Sequence, residues 1–271
     1  MEKSVKYKRI VVKVGSSTLT HDNNRLNLRR LEALTRTLSE LKNSGCDVIL
    51  VSSAAISAGT AKLGLSERPR TTMEKQAVAA VGQTELMKVY SHFFDMFGHS
   101  VGQILLTRDE IERKTAYENA ENTFNTLLSM SCIPIVNEND SMSYAEIEFG
   151  DNDTLSAYVA KICRADVLII LSDIDGLYTD NPRENPSATL IPRVSEITDK
   201  IRSFAGGAGT NRGTGGLATK IKAAELVTSA GIPMYIVNGE NPEIIYDITD
   251  GKQCGTYFEA NSDNGKSTGV L

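Results

Sequence analysis

The residues best suited to chemistry lie in one stretch, residues 206–220, which reads GGAGTNRGTGGLATK. Six of the eleven residues from Gly206 to Gly216 are glycine, so side chains are scarce and backbone N–H groups become the main donors on offer. Such a loop suits a phosphate. Ala218, Thr219, Lys220, Ile221, Ala223, Ala224, Leu226 and Val227 follow at helical spacing. The glycines therefore deliver the chain to a helix N-terminus, which carries about half a positive charge. Lys220 falls in the first turns of that helix, where a cation is disfavoured unless it faces an anion.

Two known phosphate motifs test this reading. A P-loop fails: Gly251-Lys252 is followed by Gln253, and Gly265-Lys266-Ser267 has Ala260 where glycine is required. Gly213, Gly215 and Ala218 fit a relaxed dinucleotide fingerprint. That motif belongs after a first strand, however, and residues 195–204 look helical or irregular. A dinucleotide site and a ligand-free mobile linker remain the alternatives.

A second lysine stands out inside an apolar run. Residues 9–14 (RIVVKV) read as a strand buried on both faces, interrupted only by Lys13 and followed by a turn at Gly15-Ser16-Ser17. A buried ammonium is costly without an anion. Either the strand is an edge strand with Lys13 snorkelling outward, or Lys13 sits at the carboxyl end of the first strand, where open α/β sheets bind ligands.

The most unusual polar segment is 137–153, NENDSMSYAEIEFGDND, with three asparagines and six acids. Its middle alternates as a short hairpin would. The EF-hand spacing is absent, and a solvated loop is the bland alternative. The preferred expectation is a site for a small polar molecule, with Asp140 for a cation and Asn152 for a carboxylate, Asn152 capping a helix over 154–163. Small residues at 52–59 either offer hydroxyl and N–H groups to an anion or allow close helix packing. Asp173 follows the most hydrophobic strand, 166–171, at a place where an adenosine hydroxyl or a phosphate-bound metal could meet a strand end.

The elements that must position these residues alternate. Strands are expected at 9–14, 47–51, 101–106, 133–136, 166–171, 233–237 and 255–258. Helices are expected at 28–41, 72–97, 117–130 and 154–163. Strand, helix, strand means parallel crossovers. The 271 residues, 41% hydrophobic, can bury one large domain or two lobes. A net charge of -5 without basic runs argues against nucleic acid. No 18-residue apolar run and no signal-peptide core occur, so no membrane partner and a cytoplasmic location are expected. Four scattered cysteines and three histidines show no ligand spacing.

Val12-Lys13-Val14-Gly15-Ser16-Ser17, Asn137-Glu138-Asn139-Asp140, Gly150-Asp151-Asn152-Asp153, Asp175-Gly176-Leu177-Tyr178-Thr179 and residues 213–220 occur in this order. Together they resemble the amino-acid kinase family, in its glutamate-phosphorylating branch. The resemblance runs from about residue 9 to 258. It implies a three-layer αβα sandwich with a mainly parallel central sheet. An acceptor lobe would span about 1–165 and a nucleotide lobe about 166–258, with a frayed tail at 261–271. It also implies transfer of phosphate from ATP, with Mg2+, to the γ-carboxylate of L-glutamate at the start of proline synthesis, by a homo-oligomer built from dimers. On the same ground Lys13 and Lys220 would contact the phosphates and Asp153 would orient them. Ser53, Asp140 and Asn152 would hold glutamate. Ser172, Asp173, Thr214, Gly215, Gly216, Leu217, Ala218, Thr219 and Lys220 would meet the nucleotide.

Three departures stand out. Ala54 occupies the middle of a usual Ser-Gly-Ala, Glu148 stands where many members have lysine, and the C-terminal PUA domain of many bacterial members has no counterpart after Phe258, so the resemblance is to the single-domain form. The chemistry is consistent with the residues: a carboxylate nucleophile of pKa about 4.3 needs no general base. The difficulty is repulsion between anions. Alternatives are another acyl-phosphate-forming kinase such as N-acetylglutamate kinase, whose substrate has no ammonium for Asp140, a nucleotide-binding regulator without turnover, and an NAD-dependent oxidoreductase.

Overall fold

The computed structural model describes residues 6–142, 152–205 and 215–261. Along the chain run β1 (Arg9–Val14), α1 (Ser16–Leu19), α2 (Leu28–Asn43), β2 (Asp47–Ser52), α3 (Ala55–Lys62), α4 (Thr72–Met96), β3 (Val101–Leu106), α5 (Arg108–Glu112), α6 (Lys114–Ser129) and β4 (Ile133–Glu138). The second half adds α7 (Asn152–Ile162), β5 (Val167–Ser172), β6 (Arg193–Val194), α8 (Asp199–Ala205), α9 (Gly215–Thr228), β7 (Met234–Asn238), α10 (Ile244–Thr249) and β8 (Thr256–Phe258). Every long strand and helix expected from the apolar pattern is present. The two-residue β6 was not expected, having too few apolar positions to show a period, and Gly15-Ser16-Ser17 leads into the short α1 rather than a simple turn.

The strands form one sheet in the order β3-β4-β2-β1-β5-β7-β8-β6, parallel throughout except for the β7–β8 pair. The chain lays β2 to one side of β1 and later β5 to the other. The carboxyl ends of β1 and β5 therefore flank a switch point, where open α/β sheets leave a crevice for ligands. β1 is a central strand, so Lys13 does not escape at an edge: it pairs in register with Val51 and Ile170 and is 6% exposed.

Alternation along the strands feeds two apolar layers. Val11, Ile49, Val51, Leu168, Ile170 and Ile236 face one core. Ile10, Val12, Val14, Leu50, Ile169 and Val237 face the other, with Leu31, Leu34 and Leu38 of α2 and Leu86, Tyr90 and Phe94 of α4. Lys13 shares the parity of Val11, and that face packs against Leu155 and Val159 of α7 and Ile221 and Ala224 of α9.

The small residues after β2 serve close packing. A Cβ on Gly82 of α4 would lie 1.8 Å from the Ala55 carbonyl oxygen, and one on Gly59 of α3 would lie 2.0 Å from that of Val78. The two helices touch backbone to backbone, and this contact sets the start of α3 beside the end of β2. Ala54, which precedes α3, has φ 86° and ψ 9°, in the left-handed region. Glycine is the residue that adopts this region without penalty, which explains physically why alanine at this position is a departure.

Two substitutions should move stability in opposite directions. Ala54→Gly relieves about 1–2 kcal/mol of left-handed strain against about 0.4–1 kcal/mol of added unfolded-state entropy, so a small rise in denaturation midpoint is expected. Gly82→Ala forces α4 off α3 and should cost at least about 1–3 kcal/mol, as overpacked interiors do. Chemical denaturation of both variants beside the parent checks both signs.

Candidate active site

At the carboxyl ends of β1, β2, β4 and β5 lies a cleft of about 1000 Å³. Its lining includes Lys13, Ser53, Asp140, Asn152, Asp153, Ser172, Asp173, Gly216, Thr219 and Lys220. Residues from strand one, the acidic segment and the late helix are thus brought together around one space. Thr214, the rest of the glycine stretch at 206–213 and the hairpin with Glu148 lie outside the described residues. Leu217 and Ala218 belong to the first turn of α9 and do not line the cleft.

The centre of the cleft is an ion triad. Lys13 Nζ lies 2.6 Å from Asp153 Oδ1. Lys220 Nζ donates to Asp153 Oδ2 at 3.1 Å and to the Gly216 carbonyl at 3.1 Å, and the Thr219 hydroxyl lies 2.9 Å from the same Oδ2. Asp153 is 2% exposed and Lys220 8%. Burial alone would raise the Asp153 carboxyl, but the charges of Lys13 and Lys220, with their hydrogen bonds, outweigh it and hold the pKa below the ordinary carboxylate range. Two cations on one anion leave one positive charge in a water-poor site, which favours an anionic ligand.

This triad follows from local structure. Asp153 is in the first turn of α7, where a carboxylate is favoured by the helix dipole. Lys220 is one turn into α9 and folds back on Gly216, four residues earlier. Lys13 reaches over from the sheet.

A second polar group lies on the acceptor side of the cleft. The two N–H groups of Asn152 Nδ2 are shared among three acceptors, the Ser52 carbonyl at 3.1 Å, Ser53 Oγ at 2.9 Å and Asn137 Oδ1 at 2.9 Å. Asn152 is the first residue of α7 rather than a cap preceding a helix at 154, because the helix begins two residues earlier than the apolar pattern suggests. Its amide nitrogen is committed to protein acceptors, while its buried Oδ1 has no partner among the described residues. The atom left to a ligand is an acceptor, suited to a donor such as an ammonium rather than to the carboxylate expected from sequence. Asp140, half-buried, lines the same space.

At the far side, Ser172 ends β5 and its hydroxyl donates to Asp173 Oδ1 at 3.2 Å. Asp173 is exposed. Sequence reasoning missed Asn137 as the hub of the amide contacts, and missed Arg68, Pro69 and Lys75, which also line the cleft. Asn137 was visible in its motif. The other three occupy the α3–α4 connection and the first turn of α4, where no local pattern announces a site. A groove of about 1040 Å³ lies between α2 and the β7–α10 loop, but its Arg30 and Arg36 are paired with Glu240 and Glu243, and it contains no buried ion cluster.

The amino acid kinase family profile matches residues 8–238. The chain is 56% identical over 253 residues to the glutamate 5-kinase of Clostridium tetani, covering 93% of this chain and 95% of that one. It is 51% identical over 255 residues to the glutamate 5-kinase of Listeria monocytogenes, covering 93% and 92%. Among solved structures it resembles an isopentenyl phosphate kinase of T. acidophilum, with TM-score 0.65 at 16% identity over 93% of this chain and all of that one. It also resembles the UMP kinase of Bacillus anthracis, with TM-score 0.63 at 16% identity over 94% and 97%. These last two likenesses concern the fold alone. With its parallel sheet, its crevice at the strand ends and these relatives, the chain belongs to the amino acid kinase family.

Proposed function

We propose that this protein transfers the γ-phosphoryl group of ATP to the γ-carboxylate of L-glutamate, giving ADP and γ-glutamyl phosphate, the first step of proline biosynthesis. The observation that carries this reading is the Asp153 triad facing one cleft from Lys13 and Lys220, in a chain more than half identical to a glutamate 5-kinase. The acceptor carboxylate is ionised at neutral pH, so no proton has to be removed. Among the described residues that line the cleft there is no histidine, and the reaction requires none.

The barrier is the approach of one anion to another, with charge spreading over the transferred oxygens. Lys13 and Lys220 answer it, held apart and aimed by the carboxylate they share. Thr219 and the N-terminal turn of α9 lie beside them for the phosphates, and Ser172 and Asp173 lie at the nucleotide side. Ser53, Asp140 and Asn152 take the amino acid, with Asp140 and Asn152 Oδ1 as acceptors for its ammonium. This favours glutamate over an N-acylated acceptor, which has no ammonium. The two lobes, about 1–165 and 166–258, are supported by the order of the chain across the sheet: β1 to β4 occupy one half and β5 to β8 the other.

Among the described residues no three His, Cys, Asp or Glu side chains converge as a metal cage. Mg2+ would therefore ride on the phosphates, as this strongly hydrated cation usually does, with Asp173 as a lining carboxylate, and would neutralise polyphosphate charge. A homo-oligomer is part of the same reading, with exposed Leu63, Leu65 and Met73 around the α3–α4 connection as apolar surface. No helix among the described residues is long and apolar enough to cross a membrane.

Supplied with ATP and Mg2+, the protein should form hydroxylamine-trapped acyl phosphate with L-glutamate and not with N-acetylglutamate; the reverse preference would overturn the proposal. In the same assay Lys13→Ala and Lys220→Ala should each lower kcat by about 10²–10³-fold, the usual loss for one transition-state donor. Near-parental turnover in either variant would remove that lysine from the role. Asp153→Asn leaves two buried ammonium groups without their anion and should cost about 3–5 kcal/mol at neutral pH. Because the Asp153 pKa is depressed, its contribution is fully present above about pH 4 and fades as pH falls through the lower folded value. The stability gap between parent and variant should therefore be flat from pH 5 to 8 and shrink below pH 4, as measured by denaturant unfolding.

A further inference from the structure

We propose that Gln83 of α4 is a positioning residue that sets acceptor selectivity by anchoring Asn137, and through it Asn152, in the amide relay. Gln83 is not part of the cleft lining. It lies 9% exposed on the buried face of α4, and its Oε1 accepts from Asn137 Nδ2 at 2.9 Å. Asn137 Oδ1 accepts from the Glu138 N–H at 2.9 Å and from Asn152 Nδ2 at 2.9 Å. Asn152 Nδ2 in turn meets the Ser52 carbonyl. Two turns along the same face of α4, the Tyr90 hydroxyl meets Ser52 Oγ at 2.8 Å. One helix thus holds the ends of both β2 and β4 from below the site.

The directions in this relay are not interchangeable. The Glu138 N–H can only donate and the Ser52 carbonyl can only accept, so each asparagine amide has one satisfactory orientation. The outcome is that Asn152 Oδ1, buried and without a partner among the described residues, is the relay's polar atom remaining for a ligand. Without the Gln83 oxygen, the buried Asn137 amino group loses its acceptor. A buried unpaired donor costs more than the bond it lost; rotation of the Asn137 amide cannot relieve it, because that would set NH2 against the Glu138 N–H, so the side chain shifts toward another acceptor. That shift loosens the acceptor that fixes Asn152, and Asn152 Oδ1 is no longer held in one place for the ligand.

The consequence is specific to the acceptor's ammonium, and it rests on the glutamate reading above. Glutarate carries the reacting carboxylate but no ammonium, so the ratio of kcat/KM for glutamate over glutarate reports the ammonium's acceptors, Asp140 and Asn152 Oδ1, of which Gln83 touches only the second through Asn137. The test measures this ratio by hydroxamate formation in the parent and in Gln83→Met, together with KM for ATP and the melting temperature. The expected result is a ratio lowered on the order of ten-fold or more, the usual weight of a hydrogen bond to a charged group, with KM for ATP unchanged. An unchanged ratio in Gln83→Met, or a rise in KM for ATP matching that for glutamate, would overturn the proposal in favour of a merely structural role. Should Gln83→Met fail to fold, Gln83→Glu serves: its carboxyl keeps an oxygen acceptor for Asn137 whether or not it carries a proton. A ratio within about three-fold of the parent supports the relay, and a collapsed ratio in this folded variant overturns it. Absence of glutamate hydroxamate from the parent itself would be a different failure, sinking the glutamate reading and the relay's role with it.

Discussion

A single buried carboxylate organises the functional end of this molecule. Asp153 holds an ammonium group on each of its oxygens, one delivered by the first strand and one by a helix some two hundred residues later. Each lysine alone would be an expensive burial, since an isolated charge in a low-dielectric interior has nothing to replace its hydration. Together with the carboxylate they are tolerated, and the excess positive charge is left facing the cleft. The rest of the fold can be seen as what makes this meeting possible: β1 must be central, α7 must start beside it, and α9 must run alongside α7.

The acceptor side depends on a different constraint, the absence of side-chain bulk between α3 and α4. Gly59 and Gly82 let the two helices meet backbone to backbone. This brings the buried face of α4 under the ends of β2 and β4, where Gln83 and Tyr90 make their polar contacts. The turn before α3 is left-handed at Ala54. Polar positioning and apolar packing are therefore not separable here. The helix that fills the core is also the helix that carries the hydrogen-bond acceptor for Asn137.

Several features were legible in the chain itself, for identifiable reasons. Unbroken apolar runs such as 167–171, flanked by helical periods, dictate a parallel sheet covered on both sides. A lysine within such a run, and a glycine stretch leading into a helix with a lysine in its first turns, both call for an anion. Asn137, Asp140, Asn152 and Asp153 were visible as an excess of polar groups after an apolar strand. These are local signals, because burial period and residue chemistry are written within a dozen residues.

Tertiary structure alone decided the rest. That Lys13 is central and not at an edge depends on strand order, which pairs β1 with β5 across more than 150 residues. That Asn152 offers its oxygen and not its nitrogen depends on the Ser52 carbonyl and the Asn137 side chain, neither of them its neighbour in sequence. Gln83, Arg68 and Lys75 gained significance only when α4 was laid against the strand ends. Residue types and spacing determined which elements form and which charges need partners. Which partner each one finds is set by packing, because a hydrogen bond or ion pair is decided by distances of a few ångströms that chain separation does not encode.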